Sequence, residues 1–286
     1  MTSLPLIDHF AALAPAYDVV LSDVWGVVHN GVAAYPEASD ALTRFRQAGG
    51  TVVLISNSPR PGEPIKHQLD QFGVLRSAYD AVVTSGDVTR AELMRRPGAR
   101  VFHIGPERDL PIFTGLDISF TPLEQADCVV CSGLFDDVTE TPDDYRDLLG
   151  KVRARELLMI CANPDLIVER GHELVYCAGA LADLYGHMGG TVIYAGKPHR
   201  PIYDLALAQA AARRGTDVDL GRVLAIGDSV RTDFKGSQAM GIDCLFVTAG
   251  IHAGELGERD DPDMAALAAM FAADEAPKAV TRRLAW

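Results

Sequence analysis

The sequence predicts an α/β protein, with a Rossmann-like parallel sheet core and an inserted α/β cap domain. Three observations point there. Short, almost wholly apolar runs alternate with amphipathic helical stretches, the rhythm of strands buried on both faces of a parallel sheet. Several of these runs end abruptly in chemistry-bearing residues: Asp23, Ser56 and the pair Gly227-Asp228. The stretch between the early and late runs carries enough strands and helices to form a small α/β unit of its own.

The elements follow in order. Residues 4–14 suit a short amphipathic helix. Tyr17 to Asp23 is an apolar strand closed by a carboxylate, and Gly26 and Gly31 bracket a turn that lets backbone approach a ligand. Pro36 to Gln47 reads as a helix with Ala41, Leu42 and Phe45 on one side, stopped at Gly49-Gly50. Thr51–Ser56 is a second buried strand, Pro64–Gln71 a helix ended by Gly73, and Ala81–Thr84 a third strand. Strands then suit 100–104, 127–131 and 157–161, with helices at 87–95, 141–154 and 179–188. Thr141-Pro142 supplies an N-cap and a first-turn proline for the second of these. The last third holds strands at 191–194, 222–226 and 244–247, helices at 201–213 and 232–240, and a helical tail at 259–275. The expected division is 1–84 for the first part of the core, 85–190 for the cap and 191–286 for the rest of the core.

Composition narrows the function. At 286 residues, 48% hydrophobic and 23% charged, the chain is an ordinary globular sequence of one large or two modest domains. A net charge of −13 argues against nucleic acid or an anionic membrane surface as partner. No apolar run reaches membrane-spanning length, and the N-terminus lacks the pattern of a signal peptide, so a cytoplasmic protein is expected. The five cysteines are scattered and odd in number, which suits reduced thiols. Cys128 and Cys131 lie on a strand pattern and lack the second pair a zinc site needs. His103, His172, His187 and His199 have no spacing partners and read as core or surface residues.

The strand ends carry the chemistry. A phosphomonoesterase with a carboxylate nucleophile needs an aspartate to attack phosphorus, a cation to offset charge and donors for the phosphoryl oxygens. Asp23 suits the nucleophile. Ser56, Asn57 and the following N–H groups suit phosphate binding. Lys197, in Ala195-Gly-Lys-Pro198, suits charge neutralisation of both phosphate and attacking carboxylate. Asp228 and Asp233, in Gly227-Asp-Ser-Val-Arg-Thr-Asp233, add carboxylates of the kind that hold Mg²⁺.

This ordered set resembles the haloacid dehalogenase-like superfamily of phosphohydrolases, over nearly the whole chain. Asp23 matches its nucleophile, Ser56 its second motif, Lys197 its third and the run 227–233 its fourth, the most specific of the four. The long insert between Ser56 and Lys197 is similar to that of class IIA, the NagD and 4-nitrophenylphosphatase-like group. Val83-Thr-Ser-Gly86, Ala162-Asn-Pro-Asp165 and the helix at Gly179 are similar to its cap. The resemblance implies a Mg²⁺-dependent phosphatase of a small phosphorylated metabolite, working through an aspartyl-phosphate, with a homodimer as a further expectation. It implies Asp23, Asp228 and the backbone carbonyl of Trp25 as metal ligands, with Asp233 supporting. One departure stands out: the family's first motif is usually Asp-x-Asp, its second aspartate a general acid, and Trp25 occupies that position. An indole N–H does no acid–base work near neutral pH. His29 is the nearest surrogate. The departure keeps two rivals open, a weakly active phosphate-binding protein and, less in keeping with the Asp228/Asp233 pair, a dehalogenase.

Overall fold

The computed structural model describes residues 4–170, 173–258, 261–271 and 275–286. Its strands and helices run β1 Val19–Asp23, α1 Pro36–Gln47, β2 Thr51–Ser56, α2 Gly62–Phe72, β3 Ala81–Thr84, α3 Ser85–Met94, β4 Ala99–Ile104, β5 Ile118–Phe120, β6 Cys128–Cys131, α4 Arg146–Ala154, β7 Leu158–Cys161, β8 Ile167–Arg170, β9 Glu173–Tyr176, α5 Ala178–His187, β10 Val192–Tyr194, α6 Arg200–Arg214, β11 Val223–Gly227, α7 Lys235–Met240, β12 Asp243–Val247, β13 Gly257–Glu258, β14 Asp261–Pro262, α8 Met264–Ala269 and β15 Ala279–Thr281. They form two compact units. One comprises the chain up to Ser56, Glu63–Val83 and Tyr203–Trp286; the other comprises Asn57–Gly62 and Thr84–Ile202.

The first unit is built on a six-stranded sheet of order β15-β12-β11-β1-β2-β3. β1 is flanked in parallel by β11 and β2, and every residue of β1 and β11 is buried. That two-sided burial is why these strands read as unbroken apolar runs rather than alternating ones. The helices cover the faces through one stripe each. In α1, Ala38, Ala41, Leu42 and Phe45 recur at three- and four-residue steps and pack with Phe10, Leu54 and Leu69. The chain leaves β1 toward β2 and β3 on one side and returns to β11, β12 and β15 on the other. The carboxyl ends of β1 and β11 therefore flank the point where strand order reverses, where open α/β sheets leave a crevice for ligands.

The second unit holds a five-stranded sheet of order β10-β7-β6-β4-β5, with parallel pairing throughout. Leu149, Val152, Leu181, Ala182 and Tyr185 of α4 and α5 close one face over Val129 and Met159. A capping box between Thr84 and Asp87 starts α3. All five thiols are buried and none is in a disulfide; Cys128 and Cys131, three apart on β6, project to opposite faces and cannot join.

Several expectations need correcting. The strand at 191–194 pairs with β7 in the five-stranded sheet, so it belongs with the second unit, which extends to Ile202. An apolar triplet announces a strand but not the sheet it joins. The helix expected over 4–14 is two short tight turns, Phe10–Ala12 and Ala14–Ala16, because Pro15 removes a helix donor. In the tail, only Met264–Ala269 is helical among the described residues; positions 259–260 and 272–274 of that expectation, like His172, lie outside them. The edge strand β15, Ala-Val-Thr, has too little pattern to be seen in advance.

Candidate functional site

The parallel register sets the site in the first unit. Ser22 lies opposite Ile226, and Asp23 opposite Ile55, so Asp23, Ser56 and Gly227-Asp228 all emerge at the same edge of the sheet. Beyond β11 the chain makes a wide helical turn, in which the N–H of Phe234 reaches five residues back to the carbonyl of Ser229. That turn brings Asp233 back to the strand end. Asp23, Asp228 and Asp233, all buried, each offer an oxygen within 4.8 Å of the other two.

Backbone N–H groups orient all three carboxylates. Val24 N–H donates to Asp23 Oδ1 at 2.7 Å, and Ile251 N–H to Asp228 Oδ2 at 2.7 Å. Ser229 N–H donates to Asp233 Oδ2 at 3.2 Å. Glycines make this packing possible. A Cβ at Gly26 or at Gly250 would stand 2.0 Å from Asp228 Oδ2, and one at Gly227 would stand 2.1 Å from Asp233 Cγ. Gly26 also has φ of +78°, which L side chains avoid. Gly227 belongs to the motif that the sequence displays; Gly26 shows only as a turn-former, and Gly250 and the Ile251 donor carry no signal beyond following a strand.

Three buried carboxylates this close repel one another and are stable as anions only beside a compensating cation. Every donor in the trio is a hard oxygen, the chemistry that Mg²⁺ and Ca²⁺ select. The residues present therefore fit a hard divalent ion.

The turn after Asp23 also presents Trp25. Its indole is 50% exposed, meets the His29 ring edge-on at 5.3 Å, and sits where a Cβ at Gly31 would come within 2.3 Å. His29 is buried against Phe72, and its Nδ1 accepts from Gly31 N–H at 2.9 Å. Burial pushes the imidazole down to about 4. It is a neutral ring near pH 7 and cannot replace a carboxylic acid as proton donor.

The second unit contains the other two expected site residues. Lys197 is buried in the loop after β10, not at the strand's last residue. The Asn57 side chain binds this loop's backbone: its Nδ2 donates to Lys197 O at 3.0 Å, and its Oδ1 accepts from Lys197 N–H at 2.7 Å. Nδ2 also donates to Asp165 Oδ1 at 2.8 Å. The side chain of Asn57 is thus committed to this loop and to Asp165.

A parallel sheet with three clustered carboxylates at its switch point is in keeping with the resemblance drawn from the sequence, and comparison with known proteins gives the family. A family model for haloacid dehalogenase-like hydrolases matches residues 20–119, and a second HAD-hydrolase-like model matches residues 194–274. The crystal structure of a haloacid dehalogenase-like family hydrolase from Brucella suis is 47% identical, covers 97% of this chain and 99% of its own, and superposes with a TM-score of 0.84. The D-glycerol 3-phosphate phosphatase of Mycobacterium tuberculosis is 28% identical over 248 residues, 84% of this chain but only 65% of that protein. A glycerol phosphate phosphatase from that organism, solved with magnesium, shares 24% identity over 84% of this chain and 70% of its own, with a TM-score of 0.64. Ribonucleotide monophosphatase NagD of Escherichia coli is 25% identical over 238 residues, 81% of this chain and 88% of its own. The chain belongs to the haloacid dehalogenase-like hydrolases, and it is similar to members of their class IIA, NagD-like group. Among the described residues no helix is long and apolar enough to cross a membrane.

Proposed function

We propose that the protein is a Mg²⁺-dependent phosphoric monoester hydrolase that acts on a small phosphorylated metabolite through an aspartyl-phosphate. The observation that supports this most is the buried trio Asp23, Asp228 and Asp233, held by N–H donors in a glycine cradle. The glycerol-phosphate and nucleotide phosphatases among the relatives support the substrate class.

Val24 N–H donates to Asp23 Oδ1 and orients the carboxylate for attack. One carboxylate oxygen of Asp23 forms a bond to phosphorus as the bond from phosphorus to the leaving oxygen breaks. Water then attacks the phosphorus of the acyl phosphate, which releases orthophosphate and restores the carboxylate. Ser56 hydroxyl and the Asn57 main-chain N–H serve the phosphoryl oxygens, and Lys197 supplies positive charge to phosphate and nucleophile. Asp23, Asp228 and the Trp25 carbonyl would hold Mg²⁺, with Asp233 supporting. When bound, that ion offsets the negative charge gathered on carboxylates and phosphate.

Trp25 sets the limits of this chemistry. No carboxylic acid stands two residues after the nucleophile, and His29 is a buried neutral ring. General acid assistance is typically worth ~10²–10⁴ in rate, so the enzyme should favour leaving groups that are stable as anions. The same observation favours a second reading, a protein that binds phosphate ligands and turns them over slowly. An assay of inorganic phosphate release from a panel of phosphorylated metabolites, with Mg²⁺ and with EDTA, tests both. Mg²⁺-dependent multiple turnover supports the hydrolase. Saturable phosphate binding without turnover supports the second reading, and halide release from 2-haloacids would replace both with a dehalogenase.

A further inference from the structure

We propose that Asn57 is a positioning residue for Lys197: its amide clamps both main-chain groups of the lysine and thereby fixes where the ammonium stands. The inference rests on the catalytic reading of Lys197 given above. Asn57 differs from an ordinary buried asparagine in how it spends its hydrogen bonds. A side-chain amide has two N–H donors and one carbonyl acceptor. Here the acceptor takes Lys197 N–H at 2.7 Å, and the donors go to Lys197 O and to Asp165 Oδ1. The lysine is thus held through N–H and C=O at once, a two-point grip that fixes the direction in which its side chain leaves the backbone. Ser85 Oγ lies 3.4 Å from the same Oδ1.

The surroundings are built for this grip. Gly196 has no room for a side chain, since a Cβ there would stand 2.3 Å from Asn57 Oδ1 and 2.1 Å from Ser85 Oγ. On its other side the loop is braced by His199, whose ring stacks on Tyr194 at 4.3 Å, while Tyr194 OH donates to Asp183 at 2.7 Å. Asp165 is itself fixed, its carbonyl accepting from Gly179 N–H at the start of α5 and its N–H donating to Asn163 Oδ1. Buried polar networks of this kind rigidify a unique geometry when every member is satisfied. Asn57 also directly follows Ser56 in the chain, so one dipeptide carries a phosphate-binding hydroxyl and the anchor of the lysine.

Positioning predicts non-additivity. A misplacement of about 1 Å in a catalytic group costs on the order of 10²-fold in rate. Asn57→Ala, and the near-isosteric Asn57→Asp, which keeps one acceptor but loses both donors, should each lower kcat/KM for p-nitrophenyl phosphate by about that factor. They should weaken orthovanadate binding, read by calorimetry with Mg²⁺ present, in parallel. In a Lys197→Met background the same substitutions should change either quantity by less than about twofold, because residues that act as one unit do not add. Gly196→Ala, which displaces the amide by collision while leaving its chemistry intact, should behave like Asn57→Ala in both backgrounds. Thermal midpoints identify any variant that fails to fold, and the remaining variants then decide. Equal losses in both backgrounds would overturn the proposal, since Asn57 would then act independently of the lysine. Full activity and full vanadate affinity in Lys197→Met alone would instead overturn the catalytic role of Lys197, and the positioning role with it.

Discussion

The carboxyl edges of the two sheets solve opposite problems. At the end of β1 and β11, three like charges are pressed together with glycines for walls. At the end of β7 and β10, the neutral amide of Asn57 bonds the backbone of Lys197 and the carboxylate of Asp165. The first arrangement gathers like charge; the second satisfies one amide at both ends. Gathered like charge suits a cation, and a satisfied amide holds geometry. The pair His103 and Ser132 in the second unit follows the same rule, with Nε2 and Oγ 2.9 Å apart and the half-buried ring kept neutral near pH 7 by desolvation.

Breaking the carboxylate edge should have the largest effect. Asp23→Asn should cut phosphate release by on the order of 10³-fold or more, the scale seen when a nucleophile is removed, while circular dichroism stays that of the parent. Retention of a tenth of the activity would exclude Asp23 as nucleophile. Next in size is the cation linkage. Mg²⁺ at about 100 times its Kd should stabilise the protein by ~2.7 kcal/mol, a rise of several degrees in thermal midpoint at roughly 2–4 °C per kcal/mol. Asp228→Asn should abolish that rise and, in EDTA, melt no lower than the parent because a repulsion has been relieved. A preserved Mg²⁺ shift in Asp228→Asn would remove Asp228 from the ligand set.

How much of this was legible in sequence follows from range. Strands β1, β2 and β11 announced themselves because two-sided burial forces unbroken apolar runs, and Asp23, Asp228 and Asp233 because the residues that end such runs are few. The assignment of residues 191–194 to the core failed because pairing partners are not written in a local triplet. The glycine cradle was hidden for the same reason: Gly250 meets Asp228 only after the chain has crossed β12. The bond from Asn57 to Lys197 spans 140 residues, and nothing near either position signals it.

A smaller effect sharpens the role of Trp25. Trp25→Asp should raise turnover of alkyl phosphates by up to ~10²-fold, the low end of general acid catalysis, and flatten the dependence of log rate on leaving-group pKa. A slope that is already flat in the parent would mean that another proton donor serves the site. The smallest effect concerns the satisfied groups. His29 and His103 both titrate at about 4 in the folded chain, below the ordinary 6.5, because burial disfavours the imidazolium. The unfolded chain therefore takes up these protons first. Stability from the neutral rings is complete above pH 6.5 and is lost as pH falls toward 4, by at most about 1.4 kcal/mol per pH unit per ring. Denaturant titrations between pH 7 and 4 should show that decline, and His29→Gln should remove about half of it. An unchanged slope would mean that His29 is protonated in the native protein.

The order of strands also dictates the order of assembly during synthesis. The five-stranded unit is complete in the chain by Ile202, whereas β1 receives β11 only from residues 223–227 and the sheet gains its last strand at 279–281. On a ribosome, the middle of the chain can fold as a finished body while β1, β2 and β3 wait with an open edge beside β1. Nascent chains arrested near residue 245, with the middle unit out of the exit tunnel and β11 still inside it, should accordingly yield a protease-resistant fragment from the middle unit and none from the N-terminal strands. Asp23 would then be made before the middle unit and be placed after it.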